Sequence, residues 1–171
     1  MDLTFGMDRT RAARVYLGLA VLLAVLSIAG AWFSEIVLGY TPCKLCLVQR
    51  WPYYTGIPVG LLALMAGGWS TLAGRVLTLL FVVIFLGSIG LGVYHSGVEW
   101  KWWAGPTDCS GPLNAAPLSI EDFRKSLKTA RVVRCDDAAV RVLGLSFAGW
   151  NAIVSVAIAG LPLIGRRLVR G

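Results

Sequence analysis

The chain has 171 residues, 57% of them hydrophobic, with 16 Lys and Arg against 9 Asp and Glu and a formal net charge of +7. Soluble domains are roughly 45–50% apolar; here the mean hydropathy is +0.71 and most charges lie outside long apolar blocks, which excludes an ordinary soluble domain. The basic residues bracket those blocks, which sets aside nucleic acid as a partner and points to a membrane.

Arg9, Arg11 and Arg14 precede the first apolar run, Val15 to Phe33, whose 19 residues carry no charge and suffice to span a bilayer. Ala29-Gly30-Ala31 offers a small-x-small cleavage site, but the run exceeds the roughly 7–15 residues of a signal core, and Trp32 and Phe33 continue it. A retained span is therefore expected. Further spans are expected at about 47–66, 76–94 and 143–164, the last followed by Arg166, Arg167 and Arg170. The fold class is an all-α membrane protein: one domain over residues 1–171, a four-transmembrane-helix bundle with a long periplasmic loop at about 96–142.

Four spans put both termini on one side. Raw counts of Lys and Arg do not settle which side, because the long loop holds seven of them along with six acids. The local flanks do: three Arg before span one face Glu35 after it, and three Arg after span four face Arg141 before it. Both gradients put the termini in the cytoplasm. Gly87, Gly90 and Gly92 are expected to allow close helix approach in span three, and Asn151 to make an interhelical hydrogen bond in span four. In the loop, Trp100, Trp102 and Trp103 read as headgroup-level residues. Ser119 reads as the N-cap of a short basic amphipathic helix, lying either on the membrane surface or against the rest of the loop.

Cys43, Cys46, Cys109 and Cys135 all fall on one side of these spans. An even number of cysteines on one face argues for disulfide chemistry in an oxidising compartment, the periplasm of a bacterium. Thr41-Pro42 reads as a helix start, with Thr41 as N-cap, which places Cys43 and Cys46 on one face of the first turns. Orphan N–H groups there favour a thiolate, the attacking species in disulfide exchange. Arg50 follows one turn deeper, where it can support a thiolate or donate to the carbonyl oxygen of a ligand. A closed zinc site wants four ligands; the cysteine spacing matches no common zinc pattern, and no metal is expected. Bonded, Cys109 and Cys135 would close a loop of 27 residues, both cysteines included. They fit either exchange with a partner or a structural bridge, which loop entropy makes worth roughly 3–4 kcal/mol.

Taken together, the Pro-Cys-x-x-Cys opening span two, Gln49-Arg50 just after it, and the second cysteine pair between spans three and four resemble the disulfide bond formation protein B (DsbB) family of bacterial inner-membrane quinone reductases. The likeness covers most of the chain. It implies that Cys43 and Cys46 are the quinone-proximal pair, with Cys46 engaging ubiquinone or menaquinone and Arg50 beside it. It further implies that Cys109 forms a mixed disulfide with a DsbA-like periplasmic thioredoxin-fold partner, that Cys135 exchanges with Cys43, and that His95 lies near the quinone. A monomer in the inner membrane is expected. Gln49 stands where some members carry an acid. A vitamin-K-epoxide-reductase-like enzyme is a weaker fit, because that family places its C-x-x-C after the loop cysteines. A non-enzymatic membrane binding protein with structural disulfides is the reading outside enzymes.

Overall fold

The structure, a computed structural model, describes residues 9–106, 135–136, 138 and 140–170. Cys109, Ser119 and the expected amphipathic helix lie outside the described residues. In chain order the elements are α1 (Arg9–Ile36), α2 (Lys44–Val48), α3 (Trp51–Met65), a 3-10 turn (Gly68–Ser70), α4 (Leu72–Glu99), strands β1 (Arg141–Val142) and β2 (Leu145–Ser146), and α5 (Phe147–Arg170).

Among the described residues, three helical stretches are long and apolar enough to cross a membrane: Arg9–Ile36, Leu72–Glu99 and Phe147–Arg167. This is a multi-pass membrane protein. Its helices expose large apolar side chains such as Leu22, Leu26, Val83 and Leu86, as a bundle solvated by lipid does.

The stretch expected as one helix at 47–66 is instead two pieces, α2 and α3, broken at Gln49-Arg50. Pro52 is the cause: it has no N–H for the Val48 carbonyl, and its ring clashes with that turn. The chain restarts with Tyr53 N–H bonded to the Arg50 carbonyl. At 15 residues, α3 is about 22 Å long.

Two helix starts also differ from expectation. The N-cap of α2 is Cys43, not Thr41; its own sulfur accepts the Cys46 N–H at 3.2 Å, doing the work expected of the threonine hydroxyl. Residues 143–146, expected inside the last span, belong to a hairpin that precedes it. Arg141 pairs with Ser146 and Val142 with Leu145. The two turn residues, Leu143 (φ 53°) and Gly144 (φ 83°), are both left-handed, as a type I′ turn demands. Ser146 Oγ then accepts the Gly149 N–H and opens α5.

The core joins Leu17, Ala20, Val21 and Ala24 of α1 to Tyr53 and Ala63 of α3, Phe81, Val82 and Phe85 of α4, and Ile158 and Ala159 of α5. Close approach is made at Gly60, where a Cβ would stand 2.6 Å from Val21 Cγ2, and at Gly92, where it would stand 2.9 Å from the Ala152 nitrogen. Gly87 and Gly90, expected to share that role, face open space because they lie on the outward side of α4. Asn151 does bridge helices. Tyr53 Oη donates to its Oδ1 at 2.6 Å, and the same polar seam continues through Ser155 Oγ to Ser88 Oγ at 2.9 Å.

The two ends of the bundle differ in chemistry. At one, Arg14 packs beside Gly68, Arg75 Nε donates to the Trp69 carbonyl at 2.8 Å, and Arg166 lies 5.3 Å over the Trp69 ring. At the other, α4 closes in a turn where Trp102 N–H bonds the Gly97 carbonyl and Lys101 N–H that of Val98, with Lys101 left-handed at φ 60°. That turn folds Trp103 onto Gly97 and lets its indole N–H donate to the Tyr94 carbonyl at 2.9 Å. Glu99 and His95, in the last turns of α4, are both buried.

Candidate active site

Cys43 and Cys46 hold the first turn of α2 with their Sγ atoms 2.8 Å apart, as free thiols. Their surroundings are unequal. Cys43 is buried and Cys46 half-buried. The Cys43 thiol donates to Cys46, and that bond together with burial pushes Cys43 up to about 12. The same bond, received by Cys46, lowers the Cys46 thiol and outweighs its own burial. Both cysteines lie ahead of the apolar stretch that begins at Leu47. The pair is therefore polarised: Cys46 is the better thiolate and Cys43 the proton holder.

His95 stands against Cys43, with Nε2 at 3.6 Å from Sγ. On its other side the Gln49 amide nitrogen is 2.8 Å from Nδ1 and also reaches the Leu91 carbonyl at 3.5 Å. An amide nitrogen there leaves the ring proton on Nε2, facing the sulfur. Glu99, one turn on, brings Oε1 to 3.7 Å from Nε2, while its Oε2 and Ser96 Oγ are buried without a hydrogen bond among the described residues.

Cys46, not Cys43, opens on a cleft of about 360 Å³ between α1, α3 and α5. Its walls are mainly apolar, with Leu26, Ile28, Phe147 and Val154 among them; Gln49, Arg50, Tyr53 and Asn151 supply polar points. Arg50 Nη1 pairs with Glu35 Oε2 at 2.5 Å, and Nη2 reaches the Ala31 carbonyl at 3.5 Å.

The structure thus brings Cys43, Cys46, Gln49 and His95 together, and sets Arg50 beside Cys46 on the cleft. His95 is not among the residues lining that cleft; it stands against Cys43. Cys135 joins the group from the distal loop, buried in one small cluster with Cys43 and Val98 against which Leu45 and Cys46 pack. Glu35, Gln49 and Glu99 were not singled out as site residues from sequence. Glu99 carried a usable signal, four residues after His95 on one helix face; the Glu35–Arg50 contact, fifteen residues apart across a chain reversal, carried none.

A family model described as disulfide bond formation protein DsbB matches residues 13–165. The chain belongs to the DsbB family. Among its relatives, a disulfide bond formation protein B 1 of Pseudomonas fluorescens is 34% identical, over 96% of this chain and 94% of its own. A disulfide bond formation protein B of Marinobacter nauticus is 32% identical, over 82% and 84%. An uncharacterized protein of Rickettsia prowazekii is 25% identical, over 81% and 78%. No solved structure matches the chain. DsbB membership makes this an oxidoreductase of disulfide bond formation, and the polarised cysteine pair is what such chemistry requires.

Proposed function

We propose that this DsbB-family chain reoxidises a DsbA-like periplasmic dithiol partner and hands the electrons to ubiquinone or menaquinone, sustaining protein disulfide formation. The observation that carries this reading is the division of labour at the pair: Cys46 faces an apolar cleft with Arg50, while Cys43 packs with Cys135. The cleft fits a quinone head. It is large enough for a ring, its walls are mostly apolar, and the Arg50 guanidinium supplies a donor for a carbonyl oxygen. A quinone bound there supplies a two-electron, two-proton acceptor.

The chain's own residues then do the following. The partner's thiolate attacks a Cys109–Cys135 disulfide at Cys109 and expels Cys135 as thiolate; the partner's second thiolate then breaks the mixed disulfide, so that the partner leaves oxidised and Cys109 is freed as thiolate. The Cys135 thiolate so formed attacks a Cys43–Cys46 disulfide at Cys43 and expels Cys46 as thiolate, which Cys46's lowered proton affinity favours. His95 Nε2–H stands ready to donate to any negative charge on Cys43. Tyr53 and Asn151 fix the inner wall of the cleft through their mutual bond.

In the membrane, α3 makes the fourth crossing, with α2 and the cysteines at its periplasmic margin. The Arg14, Arg75 and Arg166 end lies in the cytoplasm with both termini, as basic flanks do in a bacterial inner membrane.

The test is a coupled assay with purified protein, a reduced thioredoxin-fold dithiol oxidase and a quinone analogue, following quinone absorbance. Turnover that vanishes with Cys46→Ser is expected. An inactive wild type with all four cysteines intact and oxidised would overturn the reading. Thiol labelling from outside spheroplasts tests the orientation: cysteines reached only after lysis would reverse it.

A further inference from the structure

The reduced cysteine pair is surrounded by more ligating atoms than thiol exchange uses. Cys43 Sγ, Cys46 Sγ and a His95 ring nitrogen all lie within 4.8 Å of one another. Glu99 brings a carboxylate oxygen to 3.7 Å from His95 Nε2, and its second oxygen is buried with no hydrogen-bond partner among the described residues. Glu99 is only 9% exposed, so that oxygen forfeits hydration with no compensating bond from the described residues. Two soft sulfurs and one imidazole converge on one point as three donors of a zinc site, and the Glu99 carboxylate beside the imidazole is the nearest group that can turn in as the fourth.

We propose that in its dithiol state this chain binds one Zn²⁺ through Cys43, Cys46 and His95, with Glu99 as the fourth ligand, and that the metal locks the pair reduced.

The geometry agrees. With Zn–S near 2.3 Å and Zn–N near 2.0–2.1 Å, the S···N edge of a tetrahedron is about 3.6 Å, and the Cys43 Sγ to His95 Nε2 distance is 3.6 Å. The S···S edge is about 3.8 Å, so Cys46 has to swing outward by about 1 Å from its 2.8 Å separation. The cleft on that side gives room for the swing and a route for the ion. Gln49 is already placed as the outer partner of the imidazole, 2.8 Å from Nδ1. As the ring proton moves from Nε2 to Nδ1, the amide turns to present its oxygen.

The step balances without electron transfer. Two Zn–S bonds form, up to two thiol protons leave to solvent, and no atom is oxidised or reduced. A Cys43–Cys46 disulfide has no thiolate to offer, so oxidation abolishes the site. Zinc then acts as a brake: a metal-held dithiol cannot close to a disulfide. The site stands on the geometry of the cluster and does not depend on which electron acceptor the enzyme uses.

The experiment uses the full chain in detergent, with Cys109→Ser and Cys135→Ser removing the other thiols, reduced by a phosphine under anaerobic conditions. Titration with Zn²⁺ against a chromophoric chelator should give one ion per chain. Titration with Co²⁺ should give a thiolate charge-transfer band and the intense visible bands of a tetrahedral site. Cys43→Ser and Cys46→Ser should each abolish these bands. His95→Ala and Glu99→Gln should each weaken Zn²⁺ affinity by at least about 10-fold, with helical circular dichroism confirming the fold. Absence of metal from the reduced protein would overturn the proposal. So would equal affinity in the disulfide form, or in folded His95→Ala.

Discussion

Arg50 is held by Glu35: its Nη1 lies 2.5 Å from Oε2 of the carboxylate at the end of α1, across the chain reversal that leads into α2. The guanidinium is mostly buried, at 12% exposure, and the carboxylate is 37% exposed. Glu35 therefore aims the donor side of Arg50 along the cleft wall, at the modest strength of a partly exposed ion pair.

Arg50→Ala should raise the apparent KM for a quinone analogue by about 10- to 100-fold, the loss of one charge-assisted hydrogen bond. Glu35→Gln keeps the donor and loosens its aim, so its KM should rise less. Steady-state kinetics over a quinone series checks both; an unchanged KM in Arg50→Ala removes Arg50 from the site.

In the reduced enzyme, alkylation should separate the two cysteines. Because the Cys46 thiol is lowered, its thiolate is fully present above that value and is lost as pH falls through it. Cys43, pushed up to about 12, stays protonated across the neutral range. Iodoacetamide labelling followed by mass spectrometry across a pH series should therefore mark Cys46 first, at lower pH than an ordinary thiol requires. In Cys43→Ala, which removes the thiol donating to Cys46, labelling of Cys46 at neutral pH should slow.

Helix contact makes a paired stability prediction. A Cβ at Gly60 meets Val21 and Phe81 at under 3 Å, so Gly60→Ala should cost about 1–3 kcal/mol by overpacking. Gly90 faces open space, so Gly90→Ala should be neutral or stabilise by up to about 1 kcal/mol through helix propensity. Thermal denaturation in one detergent measures both.

Cys43 and Cys135 share one buried cluster. In a Cys46→Ser, Cys109→Ser double variant, mild oxidation should join them in a single disulfide within one chain, seen by non-reducing peptide mapping. Intermolecular dimers in its place would refute exchange between these two residues.

Much of this was legible in the sequence, for identifiable reasons. Long uncharged runs betray α1, α4 and α5, because a lipid-facing helix must be apolar all round. The C-x-x-C announces its own proximity, since three residues is less than a helical turn. What escaped depended on tertiary placement. Pro52 split the second span, which apolarity alone had merged. The sulfur of Cys43 displaced Thr41 as cap because it already lay within reach of the Cys46 N–H. Gly87 and Gly90 resembled Gly92 in type, and only the rotation of α4 about its axis tells which faces a neighbour. His95 lies 52 positions from Cys43, and no local pattern marks their contact.

The sulfur that caps α2 is also the one that trades bonds with Cys135 in the proposed cycle. A sulfur committed to a disulfide is a poorer acceptor than a thiol or thiolate, so each transfer weakens the bond that fastens the first turn of a five-residue helix. The hold on that turn is thereby tied to what the Cys43 sulfur is bonded to.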